Sequence, residues 1–394
     1  MMKTDYERNI WKYYLFVFFK QFMIFLPIFI LFYQENGLSL AQIGFLATAI
    51  SITGLILELP SGVFADLYGR KLSLILGISL VFIGYSLRAF GVNFVNFLIA
   101  LTIGSIGNSL ISGADSAMLY DSLKELKQTH LFKKYAGTAN FFSLMSMGIA
   151  SFFGGLLSVY GLRMIFYISL IPIFLAFIIS FTFKEPEKHK KIIKANYLTH
   201  LKEGLIFSFI NKKVRFLILF SGFVVGMMIL SHIFFQPYMK QIGLVTTSFG
   251  LIYFIFLVIS AISSKSAHFI EEKIGQKWSI TIIPLILIIQ LFLMGKFSFY
   301  FGFLFIFLGE FIWGFTMPII NHYINEETSS YHRATVLSIN AMSYQIIYAI
   351  FSPLIGWFAD IWTLSTALMI QAGIVVLLSI FLFISWKISY PVKA

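Results

Sequence analysis

Twelve stretches of this chain stay apolar long enough to cross a bilayer, with short polar or charged segments between them. A helix needs roughly 20 apolar residues to span the hydrocarbon layer. The first six stretches run approximately over 13–33, 41–63, 72–92, 96–121, 135–159 and 163–183. The second six run over 214–236, 246–268, 278–295, 299–322, 334–358 and 364–386. Each is predicted to be a helix, because in hydrocarbon only a helix or a closed barrel satisfies its own backbone. The expected fold is an all-α polytopic membrane protein.

Residues 184–213 are the one sizeable stretch that does not span. Within it Tyr197, Leu198, Leu201, Leu205 and Phe209 fall at helical spacing behind a lysine cluster. This pattern predicts an amphipathic helix on the inner leaflet, its lysines toward anionic lipid. It divides the chain into a bundle of six helices over 1–190, a cytoplasmic linker over 191–213 and a second bundle of six over 214–394.

Composition agrees with that picture. Hydrophobic residues make up 59% of the chain and charged residues 12%, which no soluble fold accommodates. The net charge of +12 does not imply nucleic-acid binding, because the cations are dispersed between apolar runs. With the N-terminus placed in the cytoplasm, only Arg163, Lys240 and Lys296 of the 29 Lys and Arg fall outside. Lys20 and Arg88 lie within spans, and every other cation falls on the cytoplasmic side, as topology rules require. A wrong helix count would invert half of this pattern. Both termini are therefore expected in the cytoplasm, and the protein in the inner (plasma) membrane of a bacterium. Absence of Cys excludes disulfides and thiolate metal sites. The first apolar run is too long for a signal peptide.

An internal repeat supports two pseudo-symmetric halves. A shift of about 201 residues superposes Gly113 on Gly314, Tyr120 on Asn321, Ser151 on Ser352 and Gly155 on Gly356.

The segment Glu58-Leu-Pro-Ser-Gly-Val-Phe-Ala-Asp66-Leu-Tyr-Gly69-Arg70-Lys71 lies between the second and third spans. It predicts a helix that breaks at Pro60 and ends in a tight charged turn, able to hold neighbouring helix ends by charge-assisted hydrogen bonds. It resembles the loop signature of the major facilitator superfamily, G-x-x-x-D-x-x-G-R-K, with Gly62, Asp66, Gly69, Arg70 and Lys71 in those positions. The resemblance implies twelve helices in two six-helix bundles, alternating access, and a cavity lined mainly by helices 1, 4, 7 and 10. It also implies that Asp121, at the inner end of helix 4, joins Asp66 and Arg70 in a conformational latch. The run Gly113-Ala-Asp115-Ser-Ala-Met-Leu-Tyr120-Asp121 and the segment Arg333-Ala-Thr-Val-Leu-Ser look like a bacterial branch associated with small-molecule:proton antiport. The form of 58–71 is similar to that of certain tetracycline exporters. In helix 5, Ala150-Ser151 stand where the antiporter signature has Gly-Pro, a departure that leaves the direction of transport open.

Ionisable groups inside the membrane are costly and mark function by default. Glu310 stands alone in the middle of the tenth span, where burial disfavours the charged form: either it gains and loses a proton or binds a cationic substrate, or it is kept protonated to bond a neighbouring helix. Lys20 and Asp115 are expected at similar depth on helices 1 and 4, as a structural ion pair or as a site that opens for substrate or proton. Glu58 either carries a proton or braces the loop. The proton-coupling candidates are Glu310, Asp115 and Glu58. The cavity candidates are Lys20, Asp115, His232, Gln236, Glu310, Asn321 and His322. Arg88 is expected to snorkel outward. No spacing suggests a metal site, and no cofactor is expected.

The leading reading is a secondary transporter, functional as a monomer, that exports a small amphipathic compound in exchange for protons. Its partners would be that compound, protons and membrane lipid, with no nucleic acid. Proton-coupled uptake of a nutrient or metabolite is the alternative. An integral membrane enzyme or a receptor fits less well, since no catalytic set or signalling domain is apparent.

Overall fold

The computed structural model describes residues 2–187, 197–329 and 331–389. Among them the secondary structure is helical throughout. In the first half lie α1 (Met2–Lys20), α2 (Phe29–Glu35), α3 (Leu40–Tyr68), α4 (Arg70–Phe90), α5 (Phe94–Ser112), α6 (Asp115–Glu125), α7 (Phe132–Leu157), α8 (Leu162–Ile168) and α9 (Leu170–Thr182). Then follow α10 (Tyr197–Ile210), α11 (Lys212–Gln241), α12 (Thr246–Lys296), α13 (Phe303–Glu326), α14 (Arg333–Ile361) and α15 (Leu364–Ser389).

These elements make the twelve expected spans. The first is interrupted: α1 stops at Lys20, residues 21–28 form turns around Pro27, and α2 resumes at Phe29. The fourth is α5 and α6, broken at Gly113-Ala114, and the sixth is α8 and α9, broken at Ser169. The 51 residues of α12 are two spans joined at Gly275, whose φ of 75° only glycine adopts without strain. The expected break at Pro60 is not found: α3 runs on to Tyr68, so Asp66 sits in the last helical turn. Membrane helices tolerate proline within a span because neighbouring groups and local backbone adjustment re-satisfy the freed carbonyl.

The chain forms two compact units. The first comprises Met1–Leu38, Ala49–Lys191 and Val245–Phe254. Its core joins Tyr13, Phe16, Ile78, Ile111, Met118 and Leu123. The α4 and α5 helices cross backbone to backbone: a Cβ on Gly107 would lie 2.5 Å from the Gly77 carbonyl oxygen. Small residues are what permit such approach in membranes. The second unit comprises Ser39–Thr48, Ile192–Leu244 and Ile255–Ala394. Its axis is α11, buried along most of its length and packed against α13, α14 and α15.

The repeat is realised as matching helix crossings, each inside one unit. In the first, Ser151 and Gly155 of α7 meet Gly250 of α12, where added Cβ atoms would come within 2.3–2.4 Å of backbone. In the second, Ser352 and Gly356 of α14 meet Gly44 and Leu40 of α3 with the same closeness, 2.4 Å. Gly113 likewise abuts Ser61 and Gly62 of α3, and Gly314 abuts Ser260 of α12.

Arg88 does not snorkel. It is 6% exposed, with its guanidinium 4.3 Å from the Phe25 ring centroid, 4.8 Å from Phe166 and 5.1 Å from Tyr33. Ring faces carry negative charge density, so a cage of them holds a cation that pairs with no acid among the described residues. Near the outer ends of the same helices, Arg163 ties Asn36 to the carbonyls of Ala89 and Gly91. Within the second unit, α10 packs its small face inward, Gly204 against Thr335, and leaves Leu205, Ile206, Phe209 and Ile210 exposed. The exposed apolar face fits a helix lying at a lipid surface. The side chains of Tyr197, Leu198 and Leu201 lie outside the described residues.

The α4–α5 crossing yields a test with an internal control. Gly107→Val forces the two backbones apart and is expected to destabilise the fold by about 1–3 kcal/mol. A Cβ on Gly104, one turn away, meets nothing within 4 Å. Gly104→Ala is therefore expected to leave the thermal unfolding midpoint of purified protein unchanged or slightly raised, while Gly107→Val lowers it.

Candidate functional site

Two ionisable pairs lie within spanning helices, one in each unit. In the second unit, Glu310 on α13 meets His232 on α11, with Oε1 3.0 Å from Nε2. The histidine Nδ1 lies 2.9 Å from the Met228 carbonyl oxygen of its own helix. A carbonyl only accepts, so Nδ1 carries a hydrogen, and the proton in question is the one shared between Nε2 and Oε1. That proton resides on either atom: as imidazolium with carboxylate, or as neutral imidazole with carboxylic acid. Both states are net neutral, which is how a carboxyl group with 8% side-chain exposure is accommodated. His232 is 36% exposed and stands edge-to-face with Trp313 at 5.7 Å. Gln236, one turn along α11, is fully buried.

In the first unit, Lys20 Nζ donates to Asp115 Oδ2 at 3.1 Å. Both residues stand at helix discontinuities. Lys20 is the last residue of α1 and Asp115 the first of α6. A cation at a helix C-terminus and an anion at an N-terminus are each favoured by the helix dipole, so the two breaks stabilise the pair they bring together. Asp115 Oδ1 also accepts from the Ser116 backbone N–H at 2.6 Å. Side-chain exposures of 15% and 21% leave the pair partly accessible. Discontinuous membrane helices that present charged ends commonly line binding sites.

The latch candidates assemble in the first unit. Arg70 pairs with Asp66 one turn earlier, and its Nε donates to Asp121 Oδ2 at 3.3 Å. A third acid, absent from the sequence reading, completes the cluster. Glu185 follows α9, and its carboxylate accepts from the backbone N–H of Arg70 at 2.8 Å and of Lys71 at 2.7 Å. It thereby caps the start of α4. This contact explains Gly69: its φ is 112°, and a Cβ there would lie 2.7 Å from Glu185 Oε1. Lys71 takes part through its backbone. Gly62 has room for a Cβ, and its close neighbour is Gly113. Asn9 was missed as well. Buried on α1, it binds the backbone of Lys184 in both directions, at 2.8 and 2.9 Å, and donates to Ser122 at 3.0 Å. The Lys184-Glu185-Pro186 sequence at the end of the sixth span was the available signal.

The remaining candidates stand apart. The Glu58 side chain is exposed, and its carboxylate makes no hydrogen bond or ion pair among the described residues. His322, at the inner end of α13, is exposed and lies 3.4 Å from Glu326 on its own helix. Asn321 beside it is half-buried. Among the described residues no group of three His, Asp or Glu side chains could hold a metal ion. One further carboxylate has a clear structural task. Asp360, at the end of α14, accepts from the backbone N–H of Leu40 at 2.9 Å and of Ala41 at 2.8 Å, capping α3. The sequence carried its signal: Gly356-Trp-Phe-Ala-Asp360 repeats the Gly62-Val-Phe-Ala-Asp66 form.

The family model described as Major Facilitator Superfamily matches residues 13–352. An uncharacterized MFS-type transporter of Bacillus subtilis (strain 168), YxaM, is 26% identical over 240 residues, 58% of this chain and 58% of the relative. An uncharacterized transporter of Buchnera aphidicola subsp. Schizaphis graminum (strain Sg) is 25% identical over 231 residues, 57% of this chain and 56% of the relative. The matched stretch thus spans a little over half the length of these curated relatives. Among solved structures, the nucleoside transporter NupG superposes with a TM-score of 0.81 at 15% identity, covering 96% of this chain and 99% of that one. A D-xylose-proton symporter gives 0.71 at 18% identity, with 95% and 96% covered. Identities this low carry the twelve-helix fold and nothing finer. The family model covers most of the chain together with the 58–71 motif, and this protein belongs to the major facilitator superfamily.

Proposed function

We propose that the protein is a proton-coupled secondary transporter that exports a small amphipathic compound by antiport, through alternating access. The observation that carries the coupling is the 3.0 Å contact between His232 Nε2 and the buried Glu310 Oε1, which a single proton on either atom would bridge. A second proton gives imidazolium beside carboxylic acid, and its loss restores the neutral pair. The site thus gains and loses one charge without moving its helices far. His232, the more exposed partner, is the route by which a proton reaches Glu310. One charge crossing 100 mV is worth about 2.3 kcal/mol, about fortyfold in accumulation.

The Lys20–Asp115 pair supplies the substrate-responsive element. A charged group entering beside it replaces one partner, and the helix-end dipoles of α1 and α6 hold whichever charge is released. The Asp66–Arg70–Asp121–Glu185 cluster acts as the conformational latch. Export is supported by the resemblance of 113–121 and 58–71 to small-molecule antiporters. Uptake by symport is the second reading, supported by the fold shared with a protein titled a D-xylose-proton symporter. Ethidium and tetracycline are suitable probes. Lower accumulation of either in expressing cells than in control cells supports export, higher accumulation supports uptake, and no change with either removes the drug-like assignment.

Two predictions follow from the pairs. In vesicles with an imposed proton gradient, Glu310→Gln is expected to lower concentrative transport at least tenfold while leaving downhill exchange measurable; unaltered proton-driven accumulation would place coupling elsewhere. Asp115→Asn leaves Lys20 without its acid and is expected to lower the thermal midpoint, by a cost of about 3–5 kcal/mol if fully buried and less here. Combining it with Lys20→Gln should restore most of the stability, because an uncompensated charge costs more than a missing pair. The double variant is expected to fold and yet fail to transport, and normal transport by it would make the pair purely structural.

A further inference from the structure

The second unit carries a groove that the transport reading does not use. It lies where α11, the second arm of α12 and α15 meet, and encloses a cavity of about 490 Å³. Phe216 and Phe220 line it from α11, Pro284 and Leu285 from α12, and Phe383 and Trp386 from α15. Its two hydroxyl groups are internally satisfied: Thr281 donates to the Lys277 carbonyl at 2.8 Å and Ser379 to the Val375 carbonyl at 2.6 Å. Apart from the Trp386 indole, the wall therefore presents hydrocarbon.

The inner rim is different. On α11 the lining face of Phe216 and Phe220 continues one turn inward to Lys212, the first residue of that helix. On α12 the lining positions Ile280, Thr281 and Pro284 continue one turn inward to Lys277, just past the Gly275 hinge. Both helices begin at this end, so both direct the positive pole of their dipoles there. Lys212 and Lys277 are exposed, and neither ammonium meets a carboxylate among the described residues. Arg215, beside Phe216, is exposed too and donates to the Phe209 carbonyl at 3.1 Å. Trp386, stacked on Phe383 at 6.1 Å, marks the same level on α15, where indole rings favour the membrane interface.

An apolar slot through the inner half of the membrane, opening under unpaired cations, matches one kind of occupant. We propose that the groove is a binding site for an anionic glycerophospholipid of the inner leaflet. One acyl chain lies between α11, α12 and α15, and the phosphate rests between Lys212 and Lys277. The charge arrangement selects this occupant over a neutral lipid or a second copy of the chain, since the rim of a second copy would bring the same cations against each other. The lipid fills the gap beside α11, the axis of the second unit, and so fixes the angle at which α12 and α15 pack on it.

Native mass spectrometry of detergent-purified full-length protein, titrated with phosphatidylglycerol and with phosphatidylcholine of identical chains, tests the site. Wild-type protein is expected to retain phosphatidylglycerol about thirtyfold more tightly, the factor that two lysines near an anionic headgroup supply. Lys212→Gln with Lys277→Gln should bring the two lipids to equal affinity. Leu285→Trp, at a half-exposed lining position, should fill the groove and weaken both. Equal binding of the two lipids by the wild type would overturn the proposal. So would a phosphatidylglycerol preference that survives the double lysine change, or unaltered binding in Leu285→Trp. A lipid-independent dimer abolished by Leu285→Trp would show the groove to be a self-association surface and would equally overturn it. The wild-type comparison decides the question even if a variant fails to fold.

Discussion

A charge placed in hydrocarbon must be neutralised within the reach of its own side chain, and this constraint organises the protein. It is met in three ways. Lys20 and Asp115 neutralise each other where two helices are interrupted, so that dipoles as well as charges oppose. His232 and Glu310 divide a single proton between them and remain neutral in either arrangement. Arg88 pairs with no acid among the described residues and is held by the faces of aromatic rings. The solutions differ in what they allow. A ring cage keeps its cation whatever else happens, whereas an ion pair can exchange a partner and a shared proton can be joined by another.

Elsewhere in each unit the helices are set by crossings of small residues. Gly155 against Gly250 and Gly356 against Leu40 bring backbones into contact, and side chains cannot substitute for that closeness. Carboxylates finish the arrangement by capping helix starts: Glu185 caps α4 in the first unit and Asp360 caps α3 in the second. Each acid is fixed by backbone N–H groups, so its effect is geometric.

Hydropathy and lysine placement made the twelve spans legible, because the bilayer imposes both length and charge asymmetry. The interruption at 21–28 was not legible, since its residues are as apolar as the helices on either side. Pro60 misled for the opposite reason: a residue that ends helices in water is absorbed in a membrane helix. Glu310 stood out as a lone acid, but its partner lies 78 positions away, and only the fold brings His232 to it. Glu185 and Asn9 act on backbone atoms 114 to 175 positions distant, a relation no local spacing records. Arg88 was misjudged because the rings that cage it look, in sequence, like any other apolar residues. The five motif residues were readable as a set, while the reason for Gly69 emerged only with the carboxylate that approaches it.

The central claim is that His232 and Glu310 share one exchangeable proton. Nitrogen-15 NMR of the reconstituted protein, labelled at histidine and titrated with acid, observes it directly. The account predicts that Nδ1 of His232 stays protonated throughout, while Nε2 shifts between donor and acceptor character and loses that response in Glu310→Gln. A deprotonated Nδ1, or an Nε2 titration unaffected by Glu310→Gln, would contradict it.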